Sequence, residues 1–203
     1  MNPHFIFNCL NSIDNLIQMD QKEKATVYLA KFARLIRAIL ENSKSNTIPC
    51  WKDLEALQLY LQMEELRWDN KISCQVKIAD EIQNGDYKVP PMILQPFVEN
   101  AIHHGLLNKT GPDKKLLIEV ILEKNTIKYI VTDNGVGRLQ SGEYKKMNGS
   151  SPASSGIQIT KDRINLFNQD TNGAVKITDL YNERKESEGT RVEVWLTTQP
   201  FTT

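Results

Sequence analysis

The feature that most constrains the fold is a change in the spacing of apolar residues near position 70. Before it, apolar side chains recur every three or four residues, which is the spacing of amphipathic helices. After it they alternate with other residues, which is typical of a half-buried strand. The alternating residues are Ile72, Cys74, Val76 and Ile78. We therefore predict a helical segment over residues 1–70 and a second domain over residues 71–203.

The helical segment has more apolar surface than it can cover by itself. Its periodicity predicts three helices, over about residues 5–17, 25–40 and 51–66, with a polar break at 42–46. Each helix has a wide apolar stripe, so pairing with a second copy of the chain is the natural way to bury these stripes. The helical pattern starts almost at Met1, which indicates that the sequence opens inside a longer helix.

The second domain mixes strands with helices. Its predicted strands cover 116–122, 126–132, 175–178 and 190–196, and its predicted helices cover 90–104 and 157–168. The strands mostly come in close pairs, which favours hairpins over the parallel sheet of alternating strands and helices. The predicted fold class is therefore α+β: a helical segment followed by a two-layer sandwich with a mixed, mostly antiparallel sheet.

Composition narrows the classes of function. Lysine plus arginine number 25, as do aspartate plus glutamate, so no net charge favours nucleic acid or an anionic membrane as a partner. No window reaches the roughly 18 apolar residues that a membrane-spanning helix needs. The first residues, Met1 to His4, do not resemble a signal peptide. The three cysteines are scattered, which fits a reducing compartment and gives no metal-site spacing.

The stretch VTDNGVG, residues 131–137, ends a predicted strand with an acid and two glycines. Asp, Asn and Gly are common turn residues, so the stretch taken alone predicts a turn. Glycines also let a ligand ring approach the backbone closely. The polar segment that follows, residues 138–155, is long for a loop in a compact domain, and such loops are often functional lids. Its position favours the interpretation as a ligand site.

A second polar cluster lies on the helix predicted over 90–104. Asn100 lies among apolar residues of this helix, with Glu99 beside it and His103 and His104 one turn later. A buried asparagine needs hydrogen-bond partners, so it is either a satisfied structural residue or an oxygen ligand of Mg²⁺. The two histidines, followed by glycine, are typical of a helix C-terminus. No further ligand cluster nearby in sequence favours zinc.

Four motifs follow one another in the order of one known fold: VENAIHHG, DNGVG, SSGIQITKDRINLF and EGTRVEVWL. In their sequence and order these motifs resemble those of the Bergerat-type ATP-binding fold, which sensor histidine kinases share with gyrase, the Hsp90 chaperone and MutL. With NPHFIFNCLNSI at its start, the chain resembles a LytS-like sensor histidine kinase. That class has an Asn-Pro-His-Phe phosphoacceptor motif. The resemblance covers nearly the whole chain and implies that residues 138–155 form the ATP lid.

The resemblance implies a role for each motif residue of the ATP-binding domain. Asn100 matches the asparagine that holds Mg²⁺ against the nucleotide phosphates, and Asp133 matches the acid that accepts a hydrogen bond from the adenine amino group. His103 lies where lysine is common in this class, so a phosphate contact there would depend on pH. The other matches are Gly135 and Gly137 beside the base, Gly156 at the hinge of the lid, and Gly189 with Thr190 at the floor of the adenine pocket.

His4 matches the phosphorylated histidine of the LytS-like class. A neutral imidazole nitrogen would attack the γ-phosphoryl group of ATP in line. Asn8, four residues on, shares its helix face, and we expect it to orient the imidazole or a water. The residue after the histidine is Phe5, where commoner kinases have an acid, so the general base stays open. Glu99 is a candidate because it adjoins Asn100.

The resemblance implies a sensor histidine kinase of a two-component system, which uses Mg²⁺ and ATP to phosphorylate His4. The phosphoryl group would then pass to an aspartate of a response regulator. It also implies a homodimer, and the cytoplasmic portion of a cell-membrane protein whose sensor lies upstream. Two alternatives stay open: an ATP-dependent dimerisation module without phosphotransfer, and an ATPase of the gyrase and Hsp90 type in which Glu99 activates water. Both leave the NPHF motif unexplained.

Overall fold

Three helices open the chain, as its periodicity predicts. The described residues of the computed structural model are 3–69, 71–138, 154–169 and 174–198. Helix α1 spans Pro3–Gln18, α2 spans Lys22–Asn42 and α3 spans Cys50–Arg67. The turn between α1 and α2 contains Asp20, whose φ of 55° lies in the left-handed region that aspartate tolerates. Among the described residues, no helix is both long enough and apolar enough to cross a lipid bilayer.

Five strands form one mixed sheet with the order β2-β4-β5-β7-β6. Strands β2 and β4 pair in parallel, and the other neighbours pair antiparallel. Their bounds are Ser73–Ile78 for β2, Lys115–Glu123 for β4, Thr126–Asp133 for β5, Val175–Tyr181 for β6 and Ser187–Thr197 for β7. A separate two-stranded ribbon joins β1, Ile48–Pro49, to β3, Lys88–Val89. The predicted mixed, mostly antiparallel sheet is confirmed.

Within the described ranges after α3, the helices whose bounds are complete are three α-helices and one π-helix. Their bounds are Asp80–Gln83 for α4, Gln95–Asn100 for α5, Ala101–Leu106 for the π-helix and Ser154–Asn168 for α6. The helix predicted over 90–104 therefore begins later, at Gln95, and changes its winding after Asn100. The late start has a local cause, since Met92 has a φ of 58° and cannot be part of a right-handed helix.

The helices and one face of the sheet share a single core. Alternate residues of three central strands are buried in the same cluster as the apolar sides of the helices; they are Leu116, Ile118, Val120, Ile127, Tyr129, Val131, Val192, Val194 and Leu196. The other face is partly charged, and Lys128 Nζ there lies 3.0 Å from a carboxylate oxygen of Glu193. This division of apolar and charged faces confirms the predicted two-layer α+β sandwich.

Helix α3 makes polar contacts with the sheet domain. The Cys50 N–H donates to the Tyr87 carbonyl at 2.8 Å, and the Glu65 carboxylate accepts from the Cys74 N–H at 2.9 Å. The Cys50 Sγ lies 3.4 Å from the Tyr129 hydroxyl of β5. The boundary near residue 70 stays a prediction, and α3 is the element that connects the two parts across it.

Candidate functional site

The strand β5 ends in a buried carboxylate, that of Asp133. Its side chain is 4% exposed, and its Oδ1 accepts from the Gly135 N–H at 2.8 Å, which closes a tight turn. Burial raises the pKa of Asp133 to about 6, although hydrogen bonds from the Gly135 and Thr190 backbone lower it. A carboxylate has a second oxygen, so the turn does not use up its capacity to accept from a ligand. The turn and ligand interpretations of this stretch are therefore compatible.

Glycines around Asp133 let three backbone segments touch. A Cβ on Gly135 would lie 2.5 Å from the Cα of Gly105 and overlap its carbonyl carbon. A Cβ on Gly189 would overlap the Asp133 carbonyl oxygen, and the φ of Gly189, 124°, also suits glycine. Gly137 has a φ of 72°. The roles of Gly135 and Gly137 beside the adenine stay predictions, and contact between backbones is a further reason for glycine here.

Strand β7 supplies the residue opposite Asp133. In the antiparallel pairing of β5 with β7, Thr190 is the register partner of Asp133. Its side chain is buried, and its backbone hydrogen bond lowers the pKa of the Asp133 carboxyl. Asp133 and Thr190, each predicted for the adenine pocket, therefore lie side by side in the sheet.

The helix that carries Asn100 widens into the π-helix immediately afterwards. The Leu107 N–H donates to the Ile102 carbonyl, five residues back, at 2.9 Å. Such π-turns are frequent at functional sites. The Gly105 carbonyl, at the far end, accepts from the Val136 N–H of the DNGVG turn at 3.3 Å. The helix and the Asp133 turn are thus fastened together.

Glu99 and Asn100 are half-buried at the end of α5. The Gln95 amide donates to Glu99 Oε1 at 2.9 Å. Burial raises the pKa of Glu99 above its ordinary value, although the Gln95 hydrogen bond and the charge of His103 lower it. Amide and carboxylate oxygens are the ligand types that Mg²⁺ prefers, and it usually adds phosphate oxygens and waters to one or two of them. The residue types at this end of α5 therefore fit a magnesium ion held together with a nucleotide.

His103 has a partner that the sequence interpretation missed. Its Nε2 lies 3.4 Å from Oε1 of Glu64, a residue of α3 that is 0% exposed. His103 itself is half-buried. The phosphate contact predicted for His103 stays a prediction, and the structure adds an acid behind the imidazole.

The predicted acceptor His4 lies in the first turn of α1, and its side chain is outside the described part of the chain. Phe5, the next residue, is 4% exposed and contacts the ring of Tyr60 on α3, with the ring centroids 5.1 Å apart. Asn8 is half-buried, and its carbonyl accepts from the Ser12 hydroxyl at 2.9 Å. The start of α1 therefore packs on α3, one helical turn from Glu64.

Most of the predicted lid, residues 139–153, lies outside the described residues. At its start, Arg138 donates two hydrogen bonds to the Asp179 carboxylate of β6, at 2.7 and 2.6 Å. At its end, Gly156 is exposed in the first turn of α6, and a Cβ there would meet nothing within 4 Å. The hinge role of Gly156 stays a prediction.

A second acid on α3 was also missed. Asp53 is 5% exposed, and its Oδ1 accepts from the Met92 N–H at 2.6 Å. Burial raises its pKa to about 6, although the Met92 hydrogen bond and the charge of Arg163 lower it. The sequence did contain a pattern that could have indicated these buried acids. Asp53 and Glu64 have the helical spacing that places them on the apolar face of α3. An acid in such a position needs a partner.

Solved structures of histidine kinases align with this chain over most of its length. One described as mycobacterial sensor histidine kinase MprB aligns with a TM-score of 0.49 at 14% identity, over 76% of this chain and 98% of that chain. Another, Acinetobacter baumannii histidine kinase AdeS, aligns with a TM-score of 0.49 at 12% identity, over 96% of this chain and 95% of that one.

Sequence relatives are more informative. The family described as histidine kinase matches residues 1–72. The sensor protein LytS of Oceanobacillus iheyensis is 36% identical over 137 residues, which cover 68% of this chain and 23% of that protein. The sensor histidine kinase/phosphatase LytS of Staphylococcus aureus is 33% identical over 168 residues, or 82% of this chain and 28% of that protein. The chain thus spans about a quarter of the length of these relatives, and it belongs to the histidine kinase family, in the LytS-like class.

Proposed function

We propose that this chain is the catalytic region of a sensor histidine kinase of a two-component system. In this proposal it phosphorylates His4 with ATP and passes the phosphoryl group to an aspartate of a response regulator. One observation carries the proposal. A chain of this family combines an NPHF motif at the start of α1 with an enclosed acid–glycine turn at Asp133, and that turn is fastened to the helix of Asn100.

At the base end of the nucleotide, Asp133 accepts a hydrogen bond from the exocyclic amino group of adenine. Guanine has a carbonyl at the equivalent position, which a carboxylate would repel. The carboxylate is buried, so water competes little for this bond. Thr190 lies beside Asp133 and forms the floor of the pocket, with Gly135 and Gly137 at its edge.

At the phosphate end, Asn100 holds Mg²⁺ with the nucleotide phosphates. The ion, when bound, offsets the negative charge that grows on the leaving phosphates. His103 contacts a phosphate oxygen as a hydrogen-bond donor. Gly156 lets the lid, residues 138–155, close over the triphosphate. These assignments are supported by the position of each residue in the family motifs and by the residue types gathered at the end of α5.

In the transfer step, a ring nitrogen of His4 forms a bond to the γ-phosphorus while the bond from that phosphorus to the bridging oxygen breaks, releasing ADP. The proton on the other ring nitrogen leaves to a base. Glu99 is our candidate, because its raised pKa makes it a better proton acceptor than an ordinary carboxylate. Asn8 orients the imidazole. Transfer to the regulator's aspartate then restores the free histidine.

The proposed kinase works as a homodimer. Large apolar side chains remain exposed on α1 and α2, and these are Phe7, Leu10, Ile17, Val27, Leu29 and Leu40. A second copy of the chain would bury them, as in a four-helix bundle. We further propose that the chain lies on the cytoplasmic side of the cell membrane as part of a longer sensor protein, which its similarity to the longer LytS proteins supports.

The test is incubation with γ-labelled ATP and Mg²⁺, comparing the wild-type chain with His4→Gln. We expect label on the wild type only, and we expect acid to remove it, because phosphohistidine is acid-labile. Binding of ATP without label would point to the dimerisation module. Steady release of phosphate that does not need His4 would point to the gyrase and Hsp90 type of ATPase.

A further inference from the structure

The carboxylate of Glu64 connects helix α3 to the π-helix that carries His103. We propose that Glu64 is a positioning residue for the nucleotide phosphates. It holds the His103 imidazole by one ring nitrogen, so that the other ring nitrogen donates to a phosphate oxygen of ATP. The inference rests on the proposed function, and it names the part of the site that recognises the triphosphate rather than the base.

Because Glu64 is buried, its carboxylate needs hydrogen-bond donors or positively charged groups beside it. Its side chain is 0% exposed, and an unpaired charge there would be strongly destabilising. His103 Nε2 lies 3.4 Å from Oε1, Arg67 Nη1 lies 3.6 Å from the same oxygen, and the Trp68 indole donates to Oε2 at 3.1 Å. Burial would raise the pKa of Glu64, but His103 and Arg67 hold it below its ordinary value. Glu64 is therefore a carboxylate anion at neutral pH.

The contact between Glu64 and His103 is longer than a short hydrogen bond, with 3.4 Å between Nε2 and Oε1. Within the described ranges, neither Glu64 Oε1 nor Arg67 Nη1 makes a hydrogen bond of good geometry. The protonated ring is a donor at both nitrogens, so Nδ1 can donate while Nε2 faces Glu64. The side chain of His103 is 27% exposed, which leaves the ring accessible to a ligand.

The place of His103 in the fold makes a phosphate the natural acceptor. It lies three residues after Asn100, within one turn of the same helix. The π-helix is fixed at its end, where the Gly105 carbonyl accepts from the Val136 N–H. Glu64 fixes the same π-helix from the side of α3. A triphosphate that reaches Asn100 therefore meets an imidazole whose orientation is set before the ligand arrives.

The alternative is that Glu64 only anchors α3 to the π-helix. The two roles differ in which ligand they affect. A positioning role acts through His103 on the phosphates, so it should alter the binding of ATP and leave the binding of adenosine unchanged. An anchoring role would disturb the whole pocket and weaken both ligands together.

The experiment compares the dissociation constants of ATP and adenosine, by calorimetry, for the wild type, Glu64→Gln and Glu65→Gln. Glu65 is the matched control, because it lies next to Glu64 on α3 but accepts from the Cys74 N–H of β2. We expect Glu64→Gln to bind ATP about tenfold more weakly, the size of one charge-assisted hydrogen bond. Its affinity for adenosine, which also reports a folded pocket, should match the wild type. Glu65→Gln should match the wild type for both ligands.

A second measurement tests whether the effect passes through His103. In a His103→Ala background, Glu64→Gln should cause no further loss of ATP affinity, because the group that it positions is gone. A full tenfold loss in that background, or an equal loss for ATP and adenosine, would overturn the proposal. The two proposals can fail separately. If the affinities are as expected but His4 takes up no label, phosphotransfer is refuted and the phosphate contact of His103 is retained.

Discussion

At the scale of single residues, Asp133 shows how burial would tune the proposed contact with adenine. The carboxyl is charged only above its pKa, which burial raises to about 6. Its protonated form is favoured in the folded chain relative to the unfolded chain. Asp133 therefore adds stability as the pH falls from about 6 toward its ordinary pKa, and that contribution is lost as the pH rises through 6. The affinity for adenine should change with pH in the opposite sense to the stability. It should rise as the pH rises through about 6, because the charged carboxylate is the better hydrogen-bond acceptor.

The first prediction concerns the affinity for adenosine between pH 7 and pH 5. If the Asp133 carboxylate accepts from the adenine amino group, the affinity should fall about tenfold over this interval as the carboxyl takes up a proton. In Asp133→Asn the affinity should be low throughout and nearly independent of pH. The measurement is calorimetric titration at each pH. Equal pH profiles for the two proteins would remove the assigned role.

The second prediction concerns two glycines with opposite surroundings. Gly135→Ala should lower the free energy of unfolding by roughly 2 kcal/mol and abolish adenosine binding, because the added methyl group meets Gly105 backbone that cannot rotate away. Gly156→Ala should be neutral or raise it by about 0.5 kcal/mol, because the methyl group meets open space and alanine favours helix. Urea unfolding measures both. A destabilised Gly156→Ala would contradict the described geometry of α6.

At the scale of elements, α3 determines where α5 begins. Its Asp53 accepts a hydrogen bond from the N–H of Met92, the one residue of this turn with a left-handed φ, and this contact fixes the turn before Gln95. Without that acceptor, the Met92 N–H would be half-buried and unpaired. The helical segment thereby holds in place the helix that ends at Asn100, the predicted magnesium ligand.

The third prediction tests this link. Asp53→Ala should lower the free energy of unfolding by about 2 kcal/mol, since it leaves a backbone donor unsatisfied and opens a small cavity. Asp53→Asn should lose less, because its amide oxygen can still accept. Glu55→Ala is the control on the same helix, as Glu55 is exposed, and it should change the value by less than about 0.5 kcal/mol. Equal losses for the three variants would contradict the role of the Met92 contact.

At the scale of the whole molecule, the exposed apolar residues of α1 and α2 are the surface that we propose pairs with a second copy of the chain. Phe7 is 65% exposed and Leu40 is 59% exposed. We expect a dimer in which both are covered. Phe7→Lys combined with Leu40→Lys should shift the chain to a monomer in sedimentation experiments, because burial of four charges in the dimer is strongly unfavourable.

The control for this fourth prediction is Leu166→Lys on α6. Leu166 is 81% exposed, yet it lies outside the helices proposed to pair. That variant should sediment as the wild type does. A wild-type chain that stays monomeric at high concentration would contradict the expectation that this chain dimerises alone.

Local patterns of apolar residues predicted much of the fold, but they could not predict contacts between residues that are distant in sequence. Alternation identified β2, and the β4–β5 hairpin follows from two alternating runs around Lys124, which has a φ of 56°. The late start of α5 could not be predicted, because it depends on an acid in another helix. Asp133 and Thr190 were each predicted for the adenine pocket, and the structure places them side by side. The partner of His103 could not be predicted, because it lies on α3 and no local spacing of residues indicates it.

The buried pair of Glu64 and His103 also restricts how this family can diversify. A lysine at position 103 would still neutralise the acid, whereas a neutral residue there would leave a buried anion whose remaining partners are Arg67 and the Trp68 indole. If Glu64 is replaced by a neutral residue first, no buried anion remains, and His103 can then be replaced without that cost in stability. Natural sequences should therefore couple the two positions, and lineages that lost the cation at 103 should have lost the acid at 64 earlier.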